Sequence, residues 1–402
     1  MWKKIGLGLL AALFVLLVVL VVLAYFRVWP QLKPAIGPIP ITEKLKPTPG
    51  SKNLTSLPLI IPRGFQIETF AEGLGPARMM TFDSHGVLLA SITQDGKVVA
   101  LPDANKDGRA DKVMTLIEGL NLPHGIAFQD ENLYIAEINR VRKYTYVYSG
   151  PDNINLTEPQ TVVPDLPESG MHFTRTLTFG PDGKMYMSMG SSVNVDVEED
   201  KRRAAISRYD PNGSGFELFA YGLRNSVGLA WHPVTHELWA TENGRDLLGD
   251  DIPPDEVNII RKGGDYGWPY AYGNKITDPA FDDSDHASRT IPAYIELQAH
   301  SAPLGLAFFD SDAFGKDYKN DLFIAFHGSW NRSVPTGYKV VRIHLTGKNK
   351  DKVESIQDFI TGWLVSDGAL GRPVGLAVGS DGALYISDDK SGRVYRVTKI
   401  KE

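Results

Sequence analysis

The chain contains no cysteine. That excludes disulfides, thiolate zinc centres, thiol nucleophiles and a cysteine-linked lipid anchor, while leaving the redox compartment open and export permitted. An excess of positive charge is also missing. Lys and Arg number 42 against 48 Asp and Glu, and the net charge of −6 argues against nucleic acid as a partner. No GxSxG, Walker A, GxGxxG or HExxH pattern occurs, so a nucleotide cofactor, a serine elbow and a zincin helix all lack a motif. Ser-His-Asp chemistry is not excluded by composition, but nothing in the sequence presents its nucleophile.

What is present suits an ordinary globular protein: 402 residues, 43% hydrophobic and 22% charged. One apolar run stands apart. Ile5 to Phe26 carries no charge and follows Lys3 and Lys4; at 1.5 Å per residue it matches a bilayer core of about 30 Å. It is longer than a usual signal-peptide core, and no small-x-small cleavage site follows. Residues 1–27 therefore read as an uncleaved signal anchor, the alternative being a long cleaved signal peptide; both place the following domain outside the cytoplasm. Residues 28–60, with Pro30, Pro34, Pro38, Pro40, Pro47, Pro49 and Pro58, read as an extended linker. Residues 61–402 read as the folded domain.

In that domain one unit recurs: an apolar strand, a turn, and a second apolar strand. The copies are MMTFDSHGVLLAS from Met79, GIAFQDENLYIAE from Gly125, TLTFGPDGKMYMS from Thr176, GLAWHPVTHELWAT from Gly228, GLAFFDSDAFGKDYKNDLFIAF from Gly305 and GLAVGSDGALYISD from Gly375. Their starts lie 46, 51, 52, 77 and 70 residues apart. Short-strand repeats at this spacing predict an all-β, six-bladed β-propeller, with the longer intervals holding loop insertions. A β-sandwich would not explain six copies. Phe65–Glu72 and Arg393–Ile400 are spare strands at the two ends, suited to closing the ring within one blade.

Equivalent positions of successive blades converge on the axis at one face. The residues just before each unit are Arg78, His124, His172 with Arg175, Arg224 with Asn225, His300, and Arg372. Any one alone would be an ordinary solvated or structural residue, but six at matching positions predict an axial anion pocket. The segments leaving the hairpins should face the same side, carrying Ser191, Glu242 to Asp246, His327 to Arg332, and Asp388 with Asp389. The stretch ENGRDLLGDDIPPDE (242–256) is rich in oxygen ligands, which suits a hard cation such as Ca2+ over Zn2+; a solvated acidic loop is the plain alternative. DANKDGRAD supplies Asp103, Asn105, Asp107 and Asp111 in EF-hand order. Met114 stands where the bidentate Glu belongs, so this is either a second calcium loop or a polar hairpin tip.

At these residues the chain resembles the pyrroloquinoline quinone (PQQ)-dependent sugar dehydrogenases, which comprise the soluble aldose/glucose dehydrogenases and, more closely, the sorbosone dehydrogenase group. The resemblance runs from about Gly64 to the C-terminus. It implies PQQ and Ca2+ as cofactors. Through HFTRTLTFGPDGKMYMSMG it implies that His172 is the catalytic base. GLRNSVGLAW implies that Arg224 and Asn225 contact the cofactor, and GRPVGLAV places Arg372 there too. TENGRD assigns the backbone carbonyls of Gly244 and Arg245 to Ca2+. The sequence departs from the family at three points. Ser191 stands where the glucose dehydrogenases pair an aspartate with the histidine. His300 occupies the position of a threonine near the cofactor. A cofactor-contacting lysine falls among Asn331, Arg332 and Lys339, of which Arg332 directly follows the strand. The implied activity is oxidation of an aldose or sugar aldehyde to a lactone or acid, with electrons passed to a respiratory quinone or cytochrome. Two other readings stay open: a Ca2+-dependent propeller hydrolase of the lactonase type, in which His172 or His124 activates water, and a non-catalytic binding propeller.

Overall fold

Each recurring unit builds the two inner strands of one antiparallel sheet. The computed structural model describes residues 13–23 and 47–400 apart from 367. Blade I comprises Ala77–Phe82, Leu88–Ile92, Lys97–Leu101 and Met114–Ile117, from the inside outward. Blade II comprises Ile126–Gln129, Asn132–Glu137, Arg140–Tyr148 and Ile154–Val163. Blade III comprises Arg175–Phe179, Met185–Met189, Ala205–Tyr209 and Glu217–Tyr221, with Gly264–Asp265 added in parallel. Blade IV comprises Leu229–Trp231, Leu238–Glu242, Asp255–Ile260 and Ile295–Leu297. Blade V comprises Pro303–Phe309, Asp321–Phe326, Lys339–Thr346 and Lys352–Ile360. The innermost strands touch one another in cyclic order, so the six sheets close a ring.

Blade VI carries the closure. Its inner strands, Pro373–Val378, Leu384–Asp388 and Arg393–Lys399, come from the C-terminal end, and Phe65–Ala71 pairs antiparallel with the last of them in the register Phe65↔Lys399. This is the expected pairing of chain ends.

The core is six layers, one between each pair of neighbouring blades. Period-2 alternation makes this work, because one strand feeds two layers. Leu384 and Ile386 pack toward blade V, while Tyr385 packs toward blade I. Trp239 likewise faces blade V, and its neighbours Leu238 and Ala240 face blade III. The glycine that opens most units has a packing reason. A Cβ on Gly228 would lie 2.2 Å from the Leu304 carbonyl oxygen, and one on Gly305 would lie 2.5 Å from that of Val374. The inner strands therefore approach the axis more closely than a side chain allows.

The linker expectation needs correction. Lys52–Asn53 pairs with Phe65–Ala71 in parallel, and Leu57, Leu59 and Ile61 are buried in the layer between blades V and VI. The apolar alternation of this stretch gives it a place in the core, so the chain joins the propeller before residue 61. Residues 13–23 are helical with exposed apolar side chains. Among the described residues no helix is long and apolar enough to cross a membrane. The rest of the Ile5 to Phe26 run, and the linker up to residue 46, lie outside the described residues.

Candidate active site

Where the segments preceding the inner strands converge, they enclose a cavity of about 440 Å³. Arg78, His172, Arg224, Asn225, Gly244, His300 and Arg372 all line it. Residues distant in sequence are thus gathered from five blades onto one axis.

His172 stands in the segment leading into blade III. Its Nδ1 lies 2.9 Å from the Ser191 carbonyl and 3.1 Å from the Ser191 hydroxyl. A carbonyl can only accept, so Nδ1 carries the proton and Nε2 is left as a base. The Ser191 hydroxyl donates to the Val193 carbonyl at 2.6 Å and receives His172 on its lone pairs. Burial and the Arg224 guanidinium push the imidazole down to about 3, against the Ser191 hydrogen bond. This is the direction expected when serine replaces an aspartate partner. Gly190 is required here, because a Cβ would meet the Asn225 side-chain oxygen at 2.5 Å and the His172 Cβ at 2.6 Å.

Arg224 is 4% exposed and fully engaged. It donates to the Gly244 carbonyl at 2.8 Å, the Asn194 carbonyl at 3.0 Å, the Asn194 side chain at 2.9 Å and Asp246 at 2.9 Å. Arg372 donates to the carbonyls of His327 and Gly328. Arg78 pairs with Asp389 and lies over the Phe173 ring, 5.5 Å from its centroid. Its buried Nε has no partner, nor has the Asn331 side-chain oxygen. Such orphaned groups in a cavity mark places where a ligand's polar atoms belong.

His300 holds a left-handed backbone, φ +61°, a strained state for a residue with a Cβ. Its Nε2 donates to the Gly249 carbonyl at 2.9 Å, and Asn331 reaches its Nδ1 at 3.4 Å.

Several side chains singled out in the sequence stand off the cavity. Arg332 turns away from the cavity: it reaches the carbonyls of Asp250 and Ala299 and the carboxylate of Asp251. Asn331 lines the wall instead, its side-chain amide donating to Asp246 at 2.8 Å. Lys339 pairs with Asp358. Arg245 aims its guanidinium at Asp278, 2.8 Å away. His124 is fully buried beside Thr176, and Arg175 clamps the carbonyls of Ile138, His172, Thr174 and Pro167. These two members of the basic series hold the fold behind the cavity wall.

The Asp103–Asp111 loop joins the third and fourth strands of blade I, on the opposite face from the cavity. Its carboxylates are satisfied locally. Asp103 accepts the amides of Asp107 and Gly108, and Asp111 accepts the Ala104 amide and the Asn105 side chain. Among the described residues, no group of three or more histidine or carboxylate side chains is placed to hold a metal ion.

One constellation received no role from the sequence. His327 Nε2 lies 2.9 Å and 3.0 Å from the two oxygens of Asp389, which Arg78 also grips. Burial opposes ionisation of Asp389, yet His327 and the guanidiniums of Arg78 and Arg372 hold it below the usual carboxylate range. Burial and Arg372 take His327 down to about 4, so it stands neutral with Nε2–H toward Asp389. The signal was positional: both residues leave second strands at the axial face, as Ser191 does.

The fold and site thus define a six-bladed propeller whose axial cavity is lined by arginines, with a neutral histidine on its wall. The profile of the TrAA12-like family matches residues 59–273 and 265–400, and the chain belongs to that family. An uncharacterised protein of Borreliella burgdorferi is 32% identical over 362 residues, covering 87% of this chain and 93% of the relative. The pyrroloquinoline quinone-dependent pyranose dehydrogenase of Coprinopsis cinerea is 26% identical over 414 residues, covering 85% of this chain. The match spans only 54% of that enzyme, so this chain corresponds to about half its length. The calcium structure of the Trichoderma reesei family AA12 enzyme superposes with a TM-score of 0.74 at 24% identity, covering 87% of this chain and 100% of that one.

Proposed function

We propose that the protein is a PQQ- and Ca2+-dependent dehydrogenase that oxidises a sugar. The observation that carries this reading is the convergence of Arg78, Arg224 and Arg372 on one cavity that also holds the unprotonated Nε2 of His172. The fit is chemical. A planar tricarboxylate needs several fixed cations and unpartnered donors, and the cavity offers three guanidiniums and the orphaned Arg78 Nε. The Gly244 and Arg245 carbonyls would supply hard oxygen ligands for Ca2+ beside the Asp246 carboxylate. When bound, PQQ supplies the hydride acceptor and Ca2+ polarises it.

The chain's own contribution is orientation and proton transfer. His172 accepts the substrate hydroxyl proton at Nε2 while Ser191 fixes the ring through Nδ1. Asn225 and His300 border the same space, and Phe173 and Trp330 give it apolar walls. A second assignment of the base rests on one observation: His327 and Asp389 form the histidine–carboxylate pair that His172 lacks, and such a pair stabilises the imidazolium better than a hydroxyl does.

Within the sugars, an aldose or a sorbosone-like aldehyde is the proposed substrate class, giving a lactone or acid. Residues 1–27 are proposed to anchor the chain with the propeller outside the cytoplasm, and a respiratory quinone or cytochrome to accept the electrons. The test is addition of PQQ and Ca2+ to metal-free apo-protein. A cofactor absorbance band together with sugar-dependent dye reduction is expected. Lactone hydrolysis without PQQ would select the hydrolase instead.

A further inference from the structure

Beside the axial cavity, across the segment joining Met185–Met189 to Ala205–Tyr209, lies a separate pocket of about 190 Å³. Its walls include Tyr221, Trp268, Tyr270 and His286. The geometry points to a saccharide subsite, taking one neutral pyranose ring, which no step of the proposed oxidation uses.

The ligand class follows from the walls. Tyr270 and His286 are stacked, with ring centroids 4.3 Å apart, and Tyr221 is 42% exposed. The exposed Tyr221 ring offers a flat face to the C–H face of a pyranose, and aromatic walls with a few fixed polar groups are the usual make-up of a small-molecule site. The charges at the pocket balance in number, Lys201 and Arg203 standing against Glu198 and Asp265. Asp265 holds His286 at 2.8 Å and the Gly267 amide at 3.0 Å. Glu198 is occupied by the Ser192 amide and hydroxyl. Arg203 is occupied by the carbonyls of Gly190, Pro167 and Ser169. Lys201 lies over the Phe216 ring at 5.1 Å. With two cationic side chains set against two carboxylates, the walls carry no excess of either sign to select an organic anion or a cation, whereas a polyhydroxylated neutral ring can use carboxylate and imidazole as acceptors.

The pocket is also wired to the axial cavity. Trp268 Nε1 donates to the Asn194 carbonyl at 3.3 Å, and Arg224 Nε donates to the same oxygen at 3.0 Å. A ring settling against Trp268 therefore bears on the segment that positions Arg224. The sugar could be a further unit of an oligosaccharide whose end enters the axial cavity, or a separate monosaccharide; the link to turnover rests on the sugar-oxidising reading of that cavity, but binding does not.

The experiment uses full-length apo-protein with 15N-labelled indoles, the Trp268 signal being assigned with Trp268→Phe. Titration with glucose and with maltotriose should move that signal in the parent. Tyr221→Ala should weaken the response about tenfold by removing one stacking face, and Tyr221→Phe should keep it. A Trp268 signal that neither sugar moves, or equal titrations in the parent and Tyr221→Ala, overturns the subsite. In holo-protein, a raised KM for maltotriose but not glucose in Tyr221→Ala assigns the pocket to a longer substrate. Unchanged KM values with the binding loss assign it to an independent sugar. Absence of all dye activity would sink the dehydrogenase reading and leave the binding result standing.

Discussion

The hydrogen bond from His172 Nδ1 to a carbonyl decides which nitrogen can take a substrate proton, and the serine beside it decides how readily. Replacing His172 by Ala should leave PQQ and Ca2+ binding intact and lower kcat by about 10²–10⁴, the usual range for a general base. Reconstitution by absorbance beside dye-coupled kinetics checks this on one preparation. If turnover stays near parental with PQQ bound, the His327–Asp389 pair takes the role, and His327→Ala should then show the loss. The same imidazole sets a pH dependence in the apo-protein. Its folded value of about 3 lies below the unfolded value of about 6.5, so the folded state binds fewer protons between them. Its contribution to stability is complete above about pH 6.5 and is lost as pH falls toward 3. Urea midpoints of parent and His172→Gln should therefore diverge on acidification, the parent losing more; parallel curves would contradict the assignment. At this scale the sequence was informative about type and poor about partners. Arg224 and Arg372 were legible from their place before an inner strand. Asn331 was not, since choosing it over Arg332 needs the direction of one side chain in an irregular loop.

Elements were easier to read than residues, because each blade repeats one pattern and the ring averages over errors. The six inner hairpins and the pairing of Phe65–Ala71 with Arg393–Lys399 both follow from apolar alternation and spare strands. The boundary at residue 61 did not, because prolines suggested an open linker while Leu57, Leu59 and Ile61 already alternate toward a core. That correction has a measurable consequence. Removing residues 1–46 should leave the propeller's thermal midpoint unchanged. Removing residues 1–61 deletes three buried side chains, each contributing about 1.5–3 kcal/mol, together with the strand paired to Phe65–Ala71. A drop of many degrees is expected for the longer deletion only, read by differential scanning calorimetry. Equal midpoints would show that the segment is dispensable to the fold.

For the molecule as a whole, the cavity is where the blades meet without a shared core. Among the described residues, Val227, Leu304, Val374 and the partly buried Met79 form a small apolar cluster near the axis, and the six apolar layers lie farther out. Arg78 comes from blade I, His172 from blade III, Arg224 from blade IV, His300 from blade V and Arg372 from blade VI. A ligand gripping these residues would tie five blades together at the axis. Binding of PQQ with Ca2+ should thus stabilise the entire ring against unfolding, by about 2.7 kcal/mol at a hundredfold excess over Kd. Arg78→Ala and Arg372→Ala each remove a guanidinium from the cavity wall and should each weaken PQQ binding by about 1.5–3 kcal/mol. Each variant should therefore need more PQQ to reach the same thermal shift. Arg332→Ala, whose side chain faces the acidic loop, should titrate like the parent. Thermal midpoints measured across a PQQ series at fixed Ca2+ give all four curves. If Arg332→Ala shifts as far as Arg372→Ala, the anion pocket does not lie on the axis.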